Sequence, residues 1–523
     1  EIHRFSVLAG AEIRGEKAEG IFEKRYGYDP VTGNSAMPVP KDPGNGEGFK
    51  YSDLVSYANA MDQLSGQEIE ENRFASFYGA LDYSLFDRYV LNVSFRTDGS
   101  NNFGSDEQFN PTWSAGAVWH VSEETFMEVV RPVLSRLSLR VATGYTGNIN
   151  KTVKPNLMMK YYKNFRISDD ENYRMGYINN APNPKLRWEK TRDVKVALDF
   201  GLWKDRINGI VEAYWRKSKD CVTSEYVPVT TGFFNQSYNT SVLQNNGVEF
   251  SLSVAVLKSK DYNLSVSANV AWNQNKLKKY NSPNTSLALD KYVGYPMGAV
   301  FSGKYEGIDP ETGMYKFKLR PDAVTNKDGY LREPNNYYYY LGTSVAPFTG
   351  GFNLNFSYKN IGLSVGGSYS VKAKMVDNIE SPAGYELLSG SKLESIPTPH
   401  NDLYRNHLNV KREVRNRWTP ENRTGVKYPR LIDAYGKKLG LDLTNPTLTT
   451  ITRGALLEDI SCLRINTIAL SYSLPQRVLE RINFSSAALN LTLNNFFTIT
   501  KYSGIDPEVP GATYPVSRSV TIG

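Results

Sequence analysis

The sequence is poor in the residues from which most active sites are built. Its 523 residues include only two cysteines and four histidines. Cys221 and Cys462 lie far apart without metal-type spacing, so two incidental thiols are expected rather than a metal site or a structural bridge. The histidines are His3, His120, His400 and His407. The last two share a long loop with Asp402 and read as solvated loop residues. No zinc pattern, phosphate loop or serine-centred elbow is present. Without convergent acid, base and nucleophile the chain is expected to be a non-enzyme with no cofactor. The acidic run SDDEN (168–172) lacks the alternating acids and central glycine of a calcium loop, so a solvated charge run is expected and no metal site is assigned. Sixty-one basic residues against 54 acidic ones leave a net charge of +7 with no basic block, which argues against nucleic acid as a partner. Any run of about 18 apolar residues is also missing, which excludes membrane-spanning helices.

What is present is alternation. Across 88–96 the apolar positions are Tyr89, Leu91, Val93 and Phe95, interleaved with Val90, Asn92, Ser94 and Arg96. Trp113, Ala115, Ala117 and Trp119 repeat the pattern, as do Leu137, Leu139, Val141 and Tyr145. Successive strand side chains point to opposite faces, so each segment has one apolar and one mostly polar face. Averaged over both faces, such strands give unremarkable hydropathy, and 40% hydrophobic residues is compatible with a membrane barrel. Counting these segments gives about 14 antiparallel strands.

The connections are unequal. Short turns at 85–87, 203–205, 258–261 and 359–360 alternate with long Gly-, Pro- and charge-rich stretches such as 16–72 and 373–458, the last read as a loop of roughly 85 residues. Outer-membrane barrels have tight periplasmic turns and long extracellular loops. The same bookkeeping puts Tyr83, Tyr89, Trp119, Trp203, Tyr262, Tyr358 and Tyr472 in one aromatic row. Trp113, Tyr145, Trp188, Trp215, Trp272 and Tyr369 form another. Asn263, Ser265, Ser267 and Asn269, like Gly362, Ser364, Gly366 and Ser368, occupy the opposite face. A polar inner wall implies a lumen wide enough for water or a plug, and hence a large barrel.

Several separated stretches carry a resemblance: RYVLNVSFRTDGSNNFG, WSAGAVWHVSEETFM and LSLRVATGYTGN within 88–148, NPKLRWEKTRDVKVALDFGLWKDRINGIVEAYWRKSKD (183–220), NNGVEFSLS (245–253), GIDPETG (307–313), RWTPENR (417–423) and FFTITKYSGIDPEVPG (496–511). In this order they closely resemble the SusC/RagA-like family of TonB-linked outer-membrane transporters of Bacteroidetes. The resemblance implies a barrel of about 22 strands around an amino-terminal plug. The chain opens inside a strand-like segment without a leader, and VSRSVTIG reads as an interrupted final strand. Residues 1–523 are therefore expected to be the carboxy-terminal barrel portion of a longer transporter, with signal peptide, TonB box and plug upstream.

That resemblance further implies TonB-dependent import of a large nutrient, most readily an oligosaccharide and otherwise an oligopeptide. A SusD-like surface lipoprotein would act as lid, TonB as motor, and transporter and lipoprotein could pair into dimers. A passive porin and a non-transporting adhesin are the alternatives. Recognition is expected in the long loops, whose aromatic residues Tyr161, Tyr162, Phe233, Phe234, Tyr337, Tyr338, Tyr339, Tyr340 and Trp418 could stack on sugars, hold peptide side chains, or pack against a partner.

Overall fold

The computed structural model describes residues 2–23, 29, 31–34, 65–150, 153–168, 171–233, 235–280, 292–311, 313, 315–322, 338–376, 415–426, 453–481, 483–510 and 514–523. The chain opens with a hairpin of β1 (His3–Glu23) and β2 (Ser65–Leu85). It continues through β3 (Tyr89–Ser100), β4 (Phe109–Trp119) and β5 (Leu134–Asn148). β6 (Met158–Ser168) and β7 (Glu171–Asn180) pair with each other in a separate hairpin, and β8 (Glu189–Leu202) and β9 (Ile207–Tyr226) return to the main sheet. β10 (Asn235–Lys258) and β11 (Tyr262–Lys279) follow. Next come four short strands, β12 (Ala299–Gly303), β13 (Tyr305–Ile308), β14 (Tyr315–Phe317) and β15 (Tyr338–Thr343). β16 (Phe348–Tyr358) and β17 (Ile361–Val371) rejoin the main sheet, while β18 (Lys374–Val376) pairs with β19 (Leu457–Asp459) outside it. β20 (Cys462–Ser473), β21 (Ala488–Thr500) and β22 (Ser519–Ile522) complete the chain.

Fourteen of these strands form one sheet in the order β1-β2-β3-β4-β5-β8-β9-β10-β11-β16-β17-β20-β21-β22, each antiparallel to its neighbour. The expected large antiparallel wall is thus observed, strand for strand with the count read from alternation. Tight turns close one end, and backbone with positive φ at Phe86, Asp87, Trp203, Lys204, Asp205 and Lys359 shows how few residues reverse the chain there.

Two boundaries differ from the sequence expectation. Residues 16–23 and 65–72 belong to strands rather than to the long loop, with Glu16 opposite Asn72 and Glu23 opposite Ser65. Their polar character hid them, because a strand that rises above the bilayer needs no apolar face. β1 and β2 each have 21 residues and β10 has 24, well beyond the roughly 9–11 residues of one crossing. At the tight-turn end, residues 474–487 contain a short helix, Gln476–Arg481, where only a connection was expected.

The outer face is apolar as patterned: Leu91, Val93, Phe95, Val196, Leu198, Val211, Val248, Phe250 and Val270 are all exposed to the surroundings. Cross-strand register places Tyr83 opposite Leu91, Tyr89 opposite Trp119, Tyr262 opposite Tyr358 and Ile361 opposite Tyr472, so these aromatics gather at the tight-turn end. The second row holds Trp113, Tyr145, Trp215 and Trp272. Trp188 leaves it. It precedes β8, is 6% exposed, and stacks on Phe103 with ring centroids 4.6 Å apart. Several wall glycines are covered by a paired aromatic, and a Cβ on Gly350 would strike the Tyr369 hydroxyl and the Asn269 carbonyl oxygen. Tyr78 over Gly10, Phe200 over Gly209, Tyr214 over Gly247 and Phe352 over Gly367 repeat the arrangement.

Candidate functional site: the inner wall and its rim

The polar face of the wall divides into two sectors. From β1 to β10 it is charged, and several of its charges are matched across neighbouring strands, although Glu249 stands opposite Glu212. Arg140 grips Asp199 with two hydrogen bonds of 2.5 and 3.0 Å, and Arg216 holds Asp193 at 2.8 and 3.1 Å. Lys195 meets Glu212 at 3.0 Å, and Arg96 donates to Asp98, Glu12 and the Ser76 hydroxyl. Alternation along the strands requires this pairing: when a period of two puts ionisable residues on one face, opposite signs on adjacent strands remove the repulsion.

From β11 to β17 the inner face carries amides, hydroxyls and glycine instead. Asn263, Ser265, Ser267 and Asn269 stand opposite Ser357, Asn355, Asn353 and Gly351. Ser364 donates to the Asn355 amide oxygen at 2.8 Å. The side chains are short, and a concavity of about 460 Å³ opens over them, lined by Ser251, Ser253, Ser267, Asn269 and Asn353 among others. Next to this sector, on β20 opposite Ser368, Arg464 is almost fully buried, binds Asp506 at 2.5 Å and also pairs with Glu508. Asp506 accepts from the backbone N–H groups of Glu508 and Val516, so this carboxylate ties the segment after β21 to the wall.

The two Asp-Pro motifs therefore diverge. Asp309 makes the local turn expected of it, accepting from the Glu311 N–H through its side chain and from the Gly313 N–H through its carbonyl, with Gly313 at φ 70°. Asp506 is an anchor as well as a turn residue, a role its sequence context does not reveal.

The rim gathers an aromatic cluster that the run of tyrosines only half disclosed. Pairing of β12 with β15 brings Tyr340 to Phe301, with centroids 5.7 Å apart, and Tyr295 packs on both at 4.9 Å. Tyr292 meets Phe301 edge-on at 4.8 Å. Burial holds the Tyr340 phenol above its usual pKa of 10.0. Beside the cluster lies a cavity of about 480 Å³ lined by Trp272, Asn273, Asn275, Tyr295, Met297 and Tyr340. Such a mixture of ring faces and amides can stack on and hydrogen-bond to a polar ligand. Below it, Asp322 forms a two-pronged pair with Arg320 at 2.7 and 2.7 Å, which holds its carboxyl below the usual range.

The other described loop aromatics are placed as follows. Tyr161 and Tyr162 lie on β6, in register with Gly176 and Met175 of β7. Phe233 is half-buried after a 3-10 turn at Val229–Thr231. Tyr338 and Tyr339 share β15 with Tyr340, and the Tyr339 hydroxyl donates to the Leu319 carbonyl at 2.9 Å. Trp418 is 7% exposed and donates its indole N–H to the Pro310 carbonyl at 3.0 Å, packing the RWTPENR segment against the first Asp-Pro turn. Phe234, Tyr337, His400, Asp402 and His407, with two residues of the SDDEN run, lie outside the described residues. Cys221 and Cys462 are buried free thiols. His120 pairs with the Ser138 hydroxyl at 3.0 Å at the tight-turn end.

On the other side of the rim two of the quoted motifs meet. Gly104 donates to the Leu186 carbonyl at 2.9 Å and packs so closely on Pro184 that any side chain would strike its backbone. Asn102 and Phe103 are buried beneath, and Lys154 donates to the Asn102 side chain at 2.8 Å.

Residues 19–385 match the family model of the TonB dependent receptor-like β-barrel. SusC, a TonB-dependent receptor of Bacteroides thetaiotaomicron, is 26% identical over 99% of this chain and 47% of its own length. TonB-dependent receptor P26 of Formosa agariphila is 25% identical over 100% and 51%. The chain thus spans about half the length of the curated relatives it matches. Among solved structures, the RagAB peptide transporter superposes with a TM-score of 0.72 at 24% identity, covering 100% of this chain and 53% of that one. The RagAB peptide importer in its closed-closed state gives 0.73 with the same coverage. At this identity the likeness speaks to the fold. Taken with the open polar wall and its outward apolar band, these matches place the chain in the TonB-dependent receptor-like β-barrel family, with SusC and its relatives as homologues and outer-membrane transport barrels as its members.

Proposed function

We propose that this chain is the carboxy-terminal wall of a TonB-dependent importer of a large polar nutrient, an oligosaccharide in preference to an oligopeptide. One observation carries the reading: the inner face of the 14-stranded sheet bears short polar side chains and ion pairs, not the apolar side chains that fill a small closed barrel. Such a wall needs further strands to close it and a plug to keep it from leaking. Both are assigned to sequence upstream, giving a barrel of about 22 strands worked by TonB. The long loops and rim aromatics suit a SusD-like lipoprotein lid, and SusC among the homologues supports that partner.

An oligosaccharide is favoured by the sector from β11 to β17. Amides and hydroxyls exchange hydrogen bonds with sugar hydroxyls, and the inward residues 263, 265, 267, 269, 351, 353, 355 and 357 of β11 and β16 carry no charge, with Arg136 at the margin of the concavity bonded to the Asn208 amide. The test is depletion of an oligosaccharide mixture and of a tryptic peptide mixture from the medium by cells with and without the full-length gene, in TonB-competent and TonB-deficient backgrounds. Gene- and TonB-dependent loss of oligosaccharides is expected. Gene-dependent loss of peptides alone would reassign the cargo, and TonB-independent flux would replace the importer with a porin.

A further inference from the structure

At the tight-turn end most reversals take two to four residues, but the connection from β4 to β5 runs from 120 to 133 and is internally ordered. Two 3-10 turns, Val121–Glu123 and Thr125–Met127, are followed by backbone bonds from Val130 and Arg131 to the Met127 carbonyl and from Leu134 to Val130. Its direction is fixed by Glu124. The carboxylate, 12% exposed, accepts from the Tyr89 hydroxyl and, at 3.1 Å, from the Trp119 indole, and pairs with Arg88 at 3.3 Å. Tyr89 and Trp119 stand on the apolar outer face, stacked at 6.5 Å, so a turn that reaches both curls outward beneath the wall rather than in towards the lumen.

That geometry leaves Phe126 64% and Val129 87% exposed, with Val130 and Val133 also open, directly below the aromatic row. The Trp203 N–H donates to the Val133 carbonyl at 2.7 Å, joining this patch to the neighbouring turn and its exposed indole. Above Tyr89 and Trp119 the small side chain of Ala117 leaves an apolar groove of about 330 Å³, walled by Tyr83, Leu91, Trp119, Leu139 and Val141. Groove, aromatic pair and turn are continuous with the outer band.

Resting on the membrane reading above, we propose that residues 120–133 form a foot seated in the headgroup layer of the leaflet at the tight-turn end. The groove above it takes an acyl chain of one phospholipid. Rings with a polar end ordinarily turn that end to headgroups or water. Here Glu124 satisfies both, so the hydroxyl and the indole stay fixed while the foot meets the lipid. The other long turn at this end, with its helix Gln476–Arg481, exposes Val478 and Phe484 in the same way.

The test uses the full-length protein in vesicles of phosphatidylethanolamine and phosphatidylglycerol, with single thiols carrying an environment-sensitive fluorophore at Val129→Cys, Lys260→Cys and Val93→Cys. The native thiols are buried. Lys260 sits in the exposed turn between β10 and β11, and Val93 lies in the outer band. Phospholipids spin-labelled near the headgroup should quench the probe at 129 at least twofold more than the probe at 260, while deeper spin labels quench the probe at 93. Equal quenching at 129 and 260 with quenching retained at 93 overturns the foot alone. Loss of quenching at 93 overturns the membrane reading with it. For the groove, native mass spectrometry should show one phospholipid retained on the wild type and lost from Ala117→Phe, and retention by both overturns the acyl site.

Discussion

The inner wall from β1 to β10 and that from β11 to β17 belong to the same sheet, share one strand geometry and face the same space, yet they solve the problem of a polar surface differently. The first sector uses long ionised side chains and neutralises them in place: Arg140 with Asp199, Arg216 with Asp193, Lys195 with Glu212. The second uses Asn, Ser and Gly, with little reach and no charge. Matched pairs stiffen a surface and occupy the space above it, whereas short neutral groups leave that space open and hold a passing ligand weakly. The charged sector therefore suits a fixed neighbour such as a plug. The neutral one suits cargo that must be released.

The largest effect is expected on the outward side of the same strands that carry the neutral sector, where Gly350 stands between Val270 and Tyr369. Gly350→Val places a side chain against the Asn269 carbonyl and the Tyr369 ring, and should destabilise the wall by about 1–3 kcal/mol. The folded form in the heat-modifiability gel shift would then melt at lower temperature than wild type. Unchanged melting would show that the aromatic-over-glycine pairs do not shape this sector.

In the charged sector, Arg140→Ala leaves Asp199 without its bidentate partner. Both side chains border an aqueous lumen, so the loss should be smaller, about 0.5–1 kcal/mol, and a double-mutant cycle with Asp199→Ala should recover most of it as coupling. A coupling near zero would mean that the pairs are incidental to the wall. The smallest stability effect, within about 0.5 kcal/mol, is expected for Ser267→Asp, which brings a lone charge into the neutral sector. Its readout is transport: uptake of neutral cargo should fall little and uptake of anionic cargo strongly. Equal loss for both cargoes would sink the assignment of this sector as the passage.

The wall was legible in the sequence because a period of two survives along each strand wherever one face meets hydrocarbon. Tyr89 to Phe95 and Tyr262 to Trp272 show it plainly, and β3 and β11 lie where the alternation put them. Legibility ended where that selection ended. Residues 16–23 and 65–72 pair with each other but carry mostly Glu, Gln, Lys and Gly, with too few apolar residues to show a period of two, so nothing distinguished them from loop. Trp188 sits one residue before its strand, and its contact with Phe103 depends on a fold of two distant motifs that periodicity does not see.

The rim was read in part. Tyr337 to Tyr340 stood out as a run, but Phe301 and Tyr295 meet Tyr340, and Tyr292 meets Phe301, through the pairing of β12 with β15 across more than thirty residues of chain. Glu124 gave no signal at all, since an acidic residue in a turn looks like any solvated charge until Tyr89 and Trp119 are placed beside it.

The central claim is that these 523 residues form the wall of a plugged and lidded importer. Native mass spectrometry of the protein extracted from its own outer membrane in mild detergent tests it most directly. The account predicts a polypeptide about twice the mass of this chain, accompanied by a surface lipoprotein. A lone polypeptide of this chain's mass, conducting freely when placed in a planar bilayer, would contradict it.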